Sequence, residues 1–283
     1  SMIDRLPDEL VSVLEVCRQL YVAVDARRGP HVTPELYAWS GGRIWFAAAS
    51  TTLKAKVLAR NPLVGALVGV PGSAALLSGH VTRLAAWRPV ELLGRLPDLA
   101  AAPTALLRYT TRNAADLAAF GRDAVTGRLG WRPPPPRELF CLRPTRAAFI
   151  ENGQVRARWN WNEPRSTAAS ARHGDLAPGG RPAVAAFPDA VALPGDWFAD
   201  EHVLRVPAEV LALADLPPRF PMSLVTDEYR APGPAAKRGA LVRGEGRVDR
   251  DRPGVVHVEP QRVVRWSGTD STSVDGGSPS ARV

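Results

Sequence analysis

The stretch Ser50-Thr51-Thr52-Leu53-Lys54-Ala55-Lys56-Val57-Leu58-Ala59-Arg60-Asn61-Pro62 decides how the rest of the chain is read. Three hydroxyl residues ahead of a run of helix formers mark a helix start, where a Ser or Thr side chain caps the free N–H groups of the first turn. Lys54 and Lys56 place positive charge in that short helix, and Asn61-Pro62 ends it. Free N–H groups and lysines together suit an anionic group such as a phosphate. The same pattern also fits a plain basic helix that turns Leu53, Val57 and Leu58 inward, with Arg60 favoured at its C-terminal end.

Upstream lie two hydrophobic runs of β type, His31–Trp39 and Arg43–Ala48, joined by Ser40-Gly41-Gly42, a hairpin signal. A strand over Leu20–Asp25 precedes them. Before it, residues 7–18 read as a helix, with Pro7 at its start, Asp8 and Glu9 in the first turn, and an apolar stripe of Leu10, Val13, Leu14 and Cys17. Downstream come strands over Leu63–Val70 and Leu76–Val81. Over about residues 88–128 the β pattern gives way to Ala/Leu-rich helical spacing, read as two inserted helices, Val90–Leu93 and Pro103–Val125. Trp131-Arg132 and Pro133–Pro136 form a stiff connector, and Leu139–Ile150 returns to a strand.

The second half repeats the first weakly. Glu138–Arg146 parallels Val255–Arg262, each with an arginine two residues after a proline that closes an alternating strand. Leu76-Leu77-Ser78-Gly79 parallels Leu241-Val242-Arg243-Gly244, and Arg181-Pro182-Ala183-Val184 stands for Gly29-Pro30-His31-Val32. Such a repeat points to one domain over 1–150, a second over 181–266, a linker over 151–180 and a disordered tail over 267–283. Where the first half has Ser50–Lys56, the second has Val206-Pro207-Ala208-Glu209-Val210-Leu211. Both lysines and all three hydroxyls are lost there and a glutamate is gained, so one anion site per chain is expected.

The ordered set of strands, Gly-Gly turn, Ser/Thr-Lys helix, Arg60-Asn61-Pro62 and Leu76–Val81 resembles the flavin-binding split β-barrel family, the pyridoxamine 5′-phosphate oxidase-like proteins, over about residues 6–88. The resemblance implies a mainly β fold with helices (α+β), here two barrels in tandem packed as an intrachain pseudo-dimer. It implies a cofactor phosphate held by Ser50, Thr51, Thr52, Lys54 and Lys56, with Thr33 on the neighbouring strand and the flavin ring against the barrel strands. Trp159 and Trp161, in the polar linker, are expected to close over a flat ring by stacking, or else to pin the linker to the barrel. FMN is the expected cofactor, with 8-hydroxy-5-deazaflavin as the alternative and haem, on His31 or His80, as a further one. The expected activity is a flavin-dependent oxidoreductase acting on a small molecule; the alternative is a non-enzymatic cofactor-binding protein. Trp266, after Arg262 and Arg265, falls near where the family's sites end, and the Ala231–Gly239 loop with Lys237 and Arg238 could approach the first-half site.

Composition narrows the remaining classes. The chain has 283 residues, 45% of them hydrophobic, and a formal charge of +8 carried largely by arginine. No zinc-finger or RNA-binding signature accompanies that charge, so a nucleic-acid partner is not expected. No apolar run reaches the roughly 20 residues of a membrane helix, and the N-terminus lacks a signal-peptide pattern, so a cytoplasmic protein is expected. Its two cysteines, Cys17 and Cys141, have no metal-type spacing and read as buried thiols; no metal site is expected. In solution the pseudo-dimer should be a monomer or a weak homodimer.

Overall fold

Gly41 and Gly42 have φ of 61° and 72°, the two successive left-handed residues that a tight hairpin turn of matching twist requires. They join β2 (Gly29–Ser40) to β3 (Arg43–Ala49). Around this hairpin the computed structural model describes residues 6–70, 72–84, 96–125, 136–161, 180–229, 237–268 and 270–275. The expected helix Val90–Leu93, most of the proline connector, residues 162–179 and most of the Ala231–Gly239 loop lie outside those residues. The first half runs α1 (Asp8–Val16), β1 (Gln19–Ala26), β2, β3, α2 (Leu53–Leu58), β4 (Leu63–Val70), β5 (Ser73–Leu84), α3 (Leu96–Arg112), α4 (Ala114–Val125), β6 (Arg137–Glu151) and β7 (Gln154–Trp159). The second runs β8 (Arg181–Phe187), β9 (Val191–Phe198), β10 (Val203–Arg205), α5 (Ala208–Leu211), β11 (Arg219–Tyr229), β12 (Lys237–Val248), β13 (Val255–Ser267) and β14 (Asp270–Asp275).

Each half is a closed antiparallel barrel. The first sheet has the order β3-β2-β1-β4-β5-β6-β7 and closes through β3–β6; the second has β10-β9-β8-β11-β12-β13-β14 and closes through β10–β13. The repeat holds to the residue. Gly79 faces Pro144 across a bulge in β5–β6, and Gly244 faces Pro260 across the same bulge in β12–β13. A Cβ on Gly79 would lie 2.0 Å from the Arg143 carbonyl oxygen, and one on Gly244 would lie 2.1 Å from that of Glu259. Carrying the pairing outward matches Gly65 with Ser223, Tyr21 with Val184, Pro34 with Pro194, and the buried Tyr37 with Trp197.

Six expectations are corrected. The prolines do not close strands but sit at bulges inside β6 and β13, because the ladder continues beyond them. Arg181-Pro182 belongs to β8, the counterpart of β1, not of the strand that follows Gly29. Residues 154–159, expected in a linker, form β7 on β6, and 270–275, expected in a disordered tail, form β14 on β13. The helix expected to start at Pro103 starts at Leu96 and passes through that proline. It stops instead at Asn113, whose side-chain amide donates to the Tyr37 and Tyr109 carbonyls at 3.2 and 2.9 Å and so draws the backbone out of line. Leu53 is exposed, while Ala55 and Leu58 turn inward.

The barrels meet along a seam in which β2 packs on β11 and β4 packs on β9. Since β2 corresponds to β9 and β4 to β11, exchanging the halves returns the same pair of contacts, as in a twofold dimer. The second core cluster includes Ala23, Val32, Leu67 and Leu76 of the first barrel, so the seam is continuous with a core. Polar ties flank it. Tyr21 Oη and Gln19 Nε2 each donate to the Asp227 carboxylate at 2.5 Å, and Trp161 Nε1 donates to the Leu213 carbonyl at 2.9 Å. The tightest approach is at Gly65, where a Cβ would lie 1.7 Å from the Ala190 carbonyl oxygen. Ala190 and Asp189 are held at φ of 54° and 60°, and their N–H groups donate to the Asp25 carboxylate across the seam. Burial first, and then the facing Asp189, raise the Asp25 pKa.

Gly65→Ala is therefore expected to lower the unfolding free energy by about 3 kcal/mol, since the clash is with backbone. Gly121→Ala, in open space on α4, is expected to raise it by about 0.8 kcal/mol. Urea unfolding of the two variants checks both signs; a neutral Gly65→Ala would mean that the barrels can separate freely.

Candidate functional site

Two clefts follow from the seam's symmetry. One lies between β2–α2 of the first barrel and the β11–β13 side of the second; the other lies between β9–α5 and β4–β6. Thr52 builds the first by capping α2: its Oγ1 accepts from the Ala55 N–H at 3.3 Å and donates to the Ala49 carbonyl at 2.8 Å. This cap turns Lys54 inward, where it is 3% exposed. There its ammonium donates to Glu35 as an ion pair and to Thr33 Oγ1 at 3.1 Å. Burial, and then Arg137, pull the Lys54 pKa down from 10.5 to about 7. Glu35 opposes that pull, because a carboxylate in contact favours the ammonium.

His31, Thr33 and Glu35 alternate along β2 on one face. His31 is buried, and its Nδ1 accepts from Arg243 Nη2 of the second barrel at 2.9 Å. Burial, Arg243 and Lys54 push its pKa down to about 3, so the imidazole is neutral. Beside Glu35 a cavity of about 320 Å³ is lined by Leu36, Tyr109, Asp116, Phe120, Arg137 and Lys237. The inserted helices roof it, and Arg137 lies over the Phe120 ring at 5.4 Å. Asp98, buried, accepts from Arg43 at 2.7 Å and Arg143 at 2.5 Å and so anchors α3 to the barrel. A larger cavity of about 700 Å³ lies on the β11–β13 side, with Arg181, Arg238, Arg265, Asp227, Glu228 and Trp266 in its wall.

The other cleft keeps the shape and loses the charge. Its cavity of about 570 Å³ is lined by Leu67, Ala74, Ile150, Pro194, Gly195 and Pro207 among others, with Asp196 and Asp227 but no lysine or arginine. By the register, Thr33 corresponds to Leu193 and Glu35 to Gly195. By the caps, Thr52 corresponds to Pro207 and Lys54 to Glu209.

The residues expected at a phosphate are thus divided. Thr33 and Lys54 come together with Glu35, a partner the sequence reading missed. Thr52 is engaged in the cap. Thr51 and Lys56 are exposed, and the Ser50 N–H donates to the Pro136 carbonyl at 2.9 Å. Trp159, on β7, packs against the first core, while Trp161 is buried in the second core with Arg146 over its ring at 5.1 Å. Of the two histidines considered for haem, His80 is exposed on β5. Both cysteines are buried. No group of three or more His, Cys, Asp or Glu suited to a metal occurs among the described residues, nor is any of their helices long and apolar enough to cross a membrane. Arg137, Lys237 and Arg243 also went unnoticed or were only hinted at, since each reaches the cleft from a strand distant in sequence.

Closure of six strands through β3–β6 and β10–β13, with the short helix after β3 and after β10, settles the architecture. Both halves are closed barrels in tandem, the architecture that the sequence resemblance implies. No family model matches the sequence, and no curated protein does. Among solved structures, General Stress Protein 26 from Bacillus anthracis is similar at 12% identity, covering 50% of this chain and 92% of its own, with a TM-score of 0.33. An F420 reductase is similar at 22% identity, covering 51% and 98%, also at 0.33. A pyridoxamine 5′-phosphate oxidase-related, FMN-binding protein from Nostoc punctiforme is similar at 13%, covering 50% and 80%, again at 0.33. Each matches about half of this chain.

Glu35→Gln tests the buried pair. Removing one partner of a buried ion pair costs roughly 3–5 kcal/mol. In that variant burial and Arg137 still hold the Lys54 pKa below the ordinary 10.5, and no carboxylate in contact opposes them. Between the lowered folded value and the ordinary one the unfolded chain binds one proton more than the folded one, so the variant's stability should climb as the pH rises toward about 10. Adding Lys54→Met should remove the climb. Parallel pH profiles for the single and double variants would show that Lys54 carries no buried charge.

Proposed function

We propose that this chain is a flavin- or deazaflavin-dependent oxidoreductase of the split-barrel family, holding one cofactor per chain in the cleft between β2–α2 and β11–β13. The observation that carries the reading is the electrostatic difference between two clefts of matching position. One gathers Lys54, Arg137 and Lys237 beside the carboxylates of Glu35 and Asp116, with Lys56 on the outer face of α2. The other has only carboxylates among its charged lining residues. A phosphate-bearing cofactor fits the first and is repelled from the second.

A bound flavin supplies the electron-pair transfer; the chain's residues bind, orient and exclude water. Lys56, Thr51 and Arg137 are the groups open to a phosphate. Lys54 acts by fixing Glu35 and Thr33 along β2 and by contributing positive potential from below. FMN is the proposed form, and 8-hydroxy-5-deazaflavin the alternative. With both barrels in one chain, the protein is proposed to work as a monomer inside the cell, on a small-molecule substrate.

Titrating the purified protein with FMN and with the deazaflavin, and following the absorption bands at saturation, tests this. One tight equivalent of one of them is expected. Alanine at Lys54 and Lys56 together should weaken it by tenfold to several hundredfold, given that a charge-assisted contact contributes roughly 1.5–3 kcal/mol. Two equivalents would mean that the second cleft is also a cofactor site, and none for either would move the fold to a non-flavin role.

A further inference from the structure

Across the seam from His31, two buried hydrogen-bond donors have no acceptor. Ser223 Oγ is on β11, in a residue with no exposed surface, and Arg243 Nε is on β12. The two residues face each other directly in the β11–β12 ladder, so their side chains leave the sheet on the same side. That side is the seam, because Arg243 Nη2 reaches His31 Nδ1 of the first barrel at 2.9 Å. A buried donor without an acceptor costs free energy; guanidinium nitrogens in that state also occur at Arg158 and Arg205, but Ser223 is the one hydroxyl among the described residues that is so placed.

The charge around these donors points the same way. Arg243 stands opposite Arg262 in the β12–β13 ladder, a like-charge pair that is unfavourable by itself. Arg28, from the turn between β1 and β2, adds a third guanidinium whose field reaches Arg243. Burial and these two arginines lower the Arg243 pKa. Among the described residues no carboxylate is bonded to Arg28, Arg243 or Arg262. Glu245, two residues along β12, is taken by Arg219 at 3.1 Å. Arg262 spends its Nε–H on Ser273 Oγ at 2.8 Å.

The first barrel shows how the position looks when it is satisfied. There the equivalents of Arg243 and Arg262 are Ser78 and Arg146, and Arg146 Nη2 donates to Ser78 Oγ at 3.0 Å. The equivalent of Ser223 is Gly65, which meets the Ala190 carbonyl. In the second barrel a donor replaces the glycine and a cation replaces the acceptor. Two changes at facing positions both ask for a negative ligand.

We propose that Ser223 and Arg243 form an oxyanion site at the seam, and that it holds the carboxylate or phosphate of the substrate. Arg28 and Arg262 raise the potential at its mouth, and neutral His31 fixes the guanidinium in place. His31 shares the face of β2 that carries Thr33 and Glu35, so the oxyanion lies along one line with the cofactor cleft. Its assignment to the substrate rests on the flavin reading; the anion site does not.

The test uses the full chain, with inorganic phosphate and acetate as probes at constant ionic strength, and reads the His31 imidazole resonances by NMR. Saturable binding of one equivalent, with a shifted His31 signal, is expected. Arg243→Gln should weaken it by about tenfold or more. Arg243→Lys should keep part of the affinity and the fold, and Ser223→Ala should fall between wild type and Arg243→Gln. Absence of saturable binding, as when ordered water satisfies the two donors, overturns the site. So does unchanged affinity in Arg243→Gln. Displacement of the probe by FMN overturns the substrate assignment and gives the site to the cofactor. If neither flavin binds while phosphate still moves His31, the flavin reading fails alone and the oxyanion site stands.

Discussion

Gly65 brings β4 against the Ala190 carbonyl, and the relation between the barrels depends on that approach. A side chain there would drive β4 away from the turn that joins β8 to β9. The turn in turn needs Asp25 from the first barrel, whose carboxylate takes the N–H groups of two residues in the left-handed region. Neither half makes this arrangement alone. The ties at Asp227 and Leu213 then fix rotation along the seam. Only with the seam closed do β2 and α2 of one barrel stand beside β11–β13 of the other.

Positive charge in such a place is held up by specific partners. Lys54 is buried because Glu35 and Thr33 receive its protons; Arg43 and Arg143 converge because Asp98 lies between them. Arg83 likewise meets Glu138 at 2.7 Å. Arg28, Arg243 and Arg262 differ in having no carboxylate bonded to them among the described residues, and Arg158 and Arg205 also keep buried nitrogens without an acceptor.

Much of this was legible in the residues. Gly41-Gly42 fixed the hairpin, and the Gly/Pro pattern at 79/144 and 244/260 carried the repeat, because both report backbone constraints that few other residues meet. The loss of hydroxyls and lysines near Glu209 marked the unequal clefts. What escaped the sequence were contacts between distant strands. Nothing local tells that Glu35 neutralises Lys54, or that Arg243 reaches His31 in the other barrel. Pro103 misled because its ring is tolerated within α3, and Gln154–Trp159 misled because an edge strand on β6 needs few apolar residues. The two tryptophans were visible, but not that they enter two different cores.

Both barrels lie on one chain, and this changes what a single substitution can do. In a dimer of identical barrels every residue occurs twice. An arginine in place of Ser78 would appear on both sides of the axis, and a serine in place of Gly65 would collide at both turns. Here the duplicated positions are free to diverge. The first barrel keeps the glycine that closes the seam and the serine that satisfies Arg146, while the second carries Ser223 and Arg243. Joining the copies has turned a symmetric interface into two separately heritable ones, so that packing and ligand chemistry need no longer be served by the same residue.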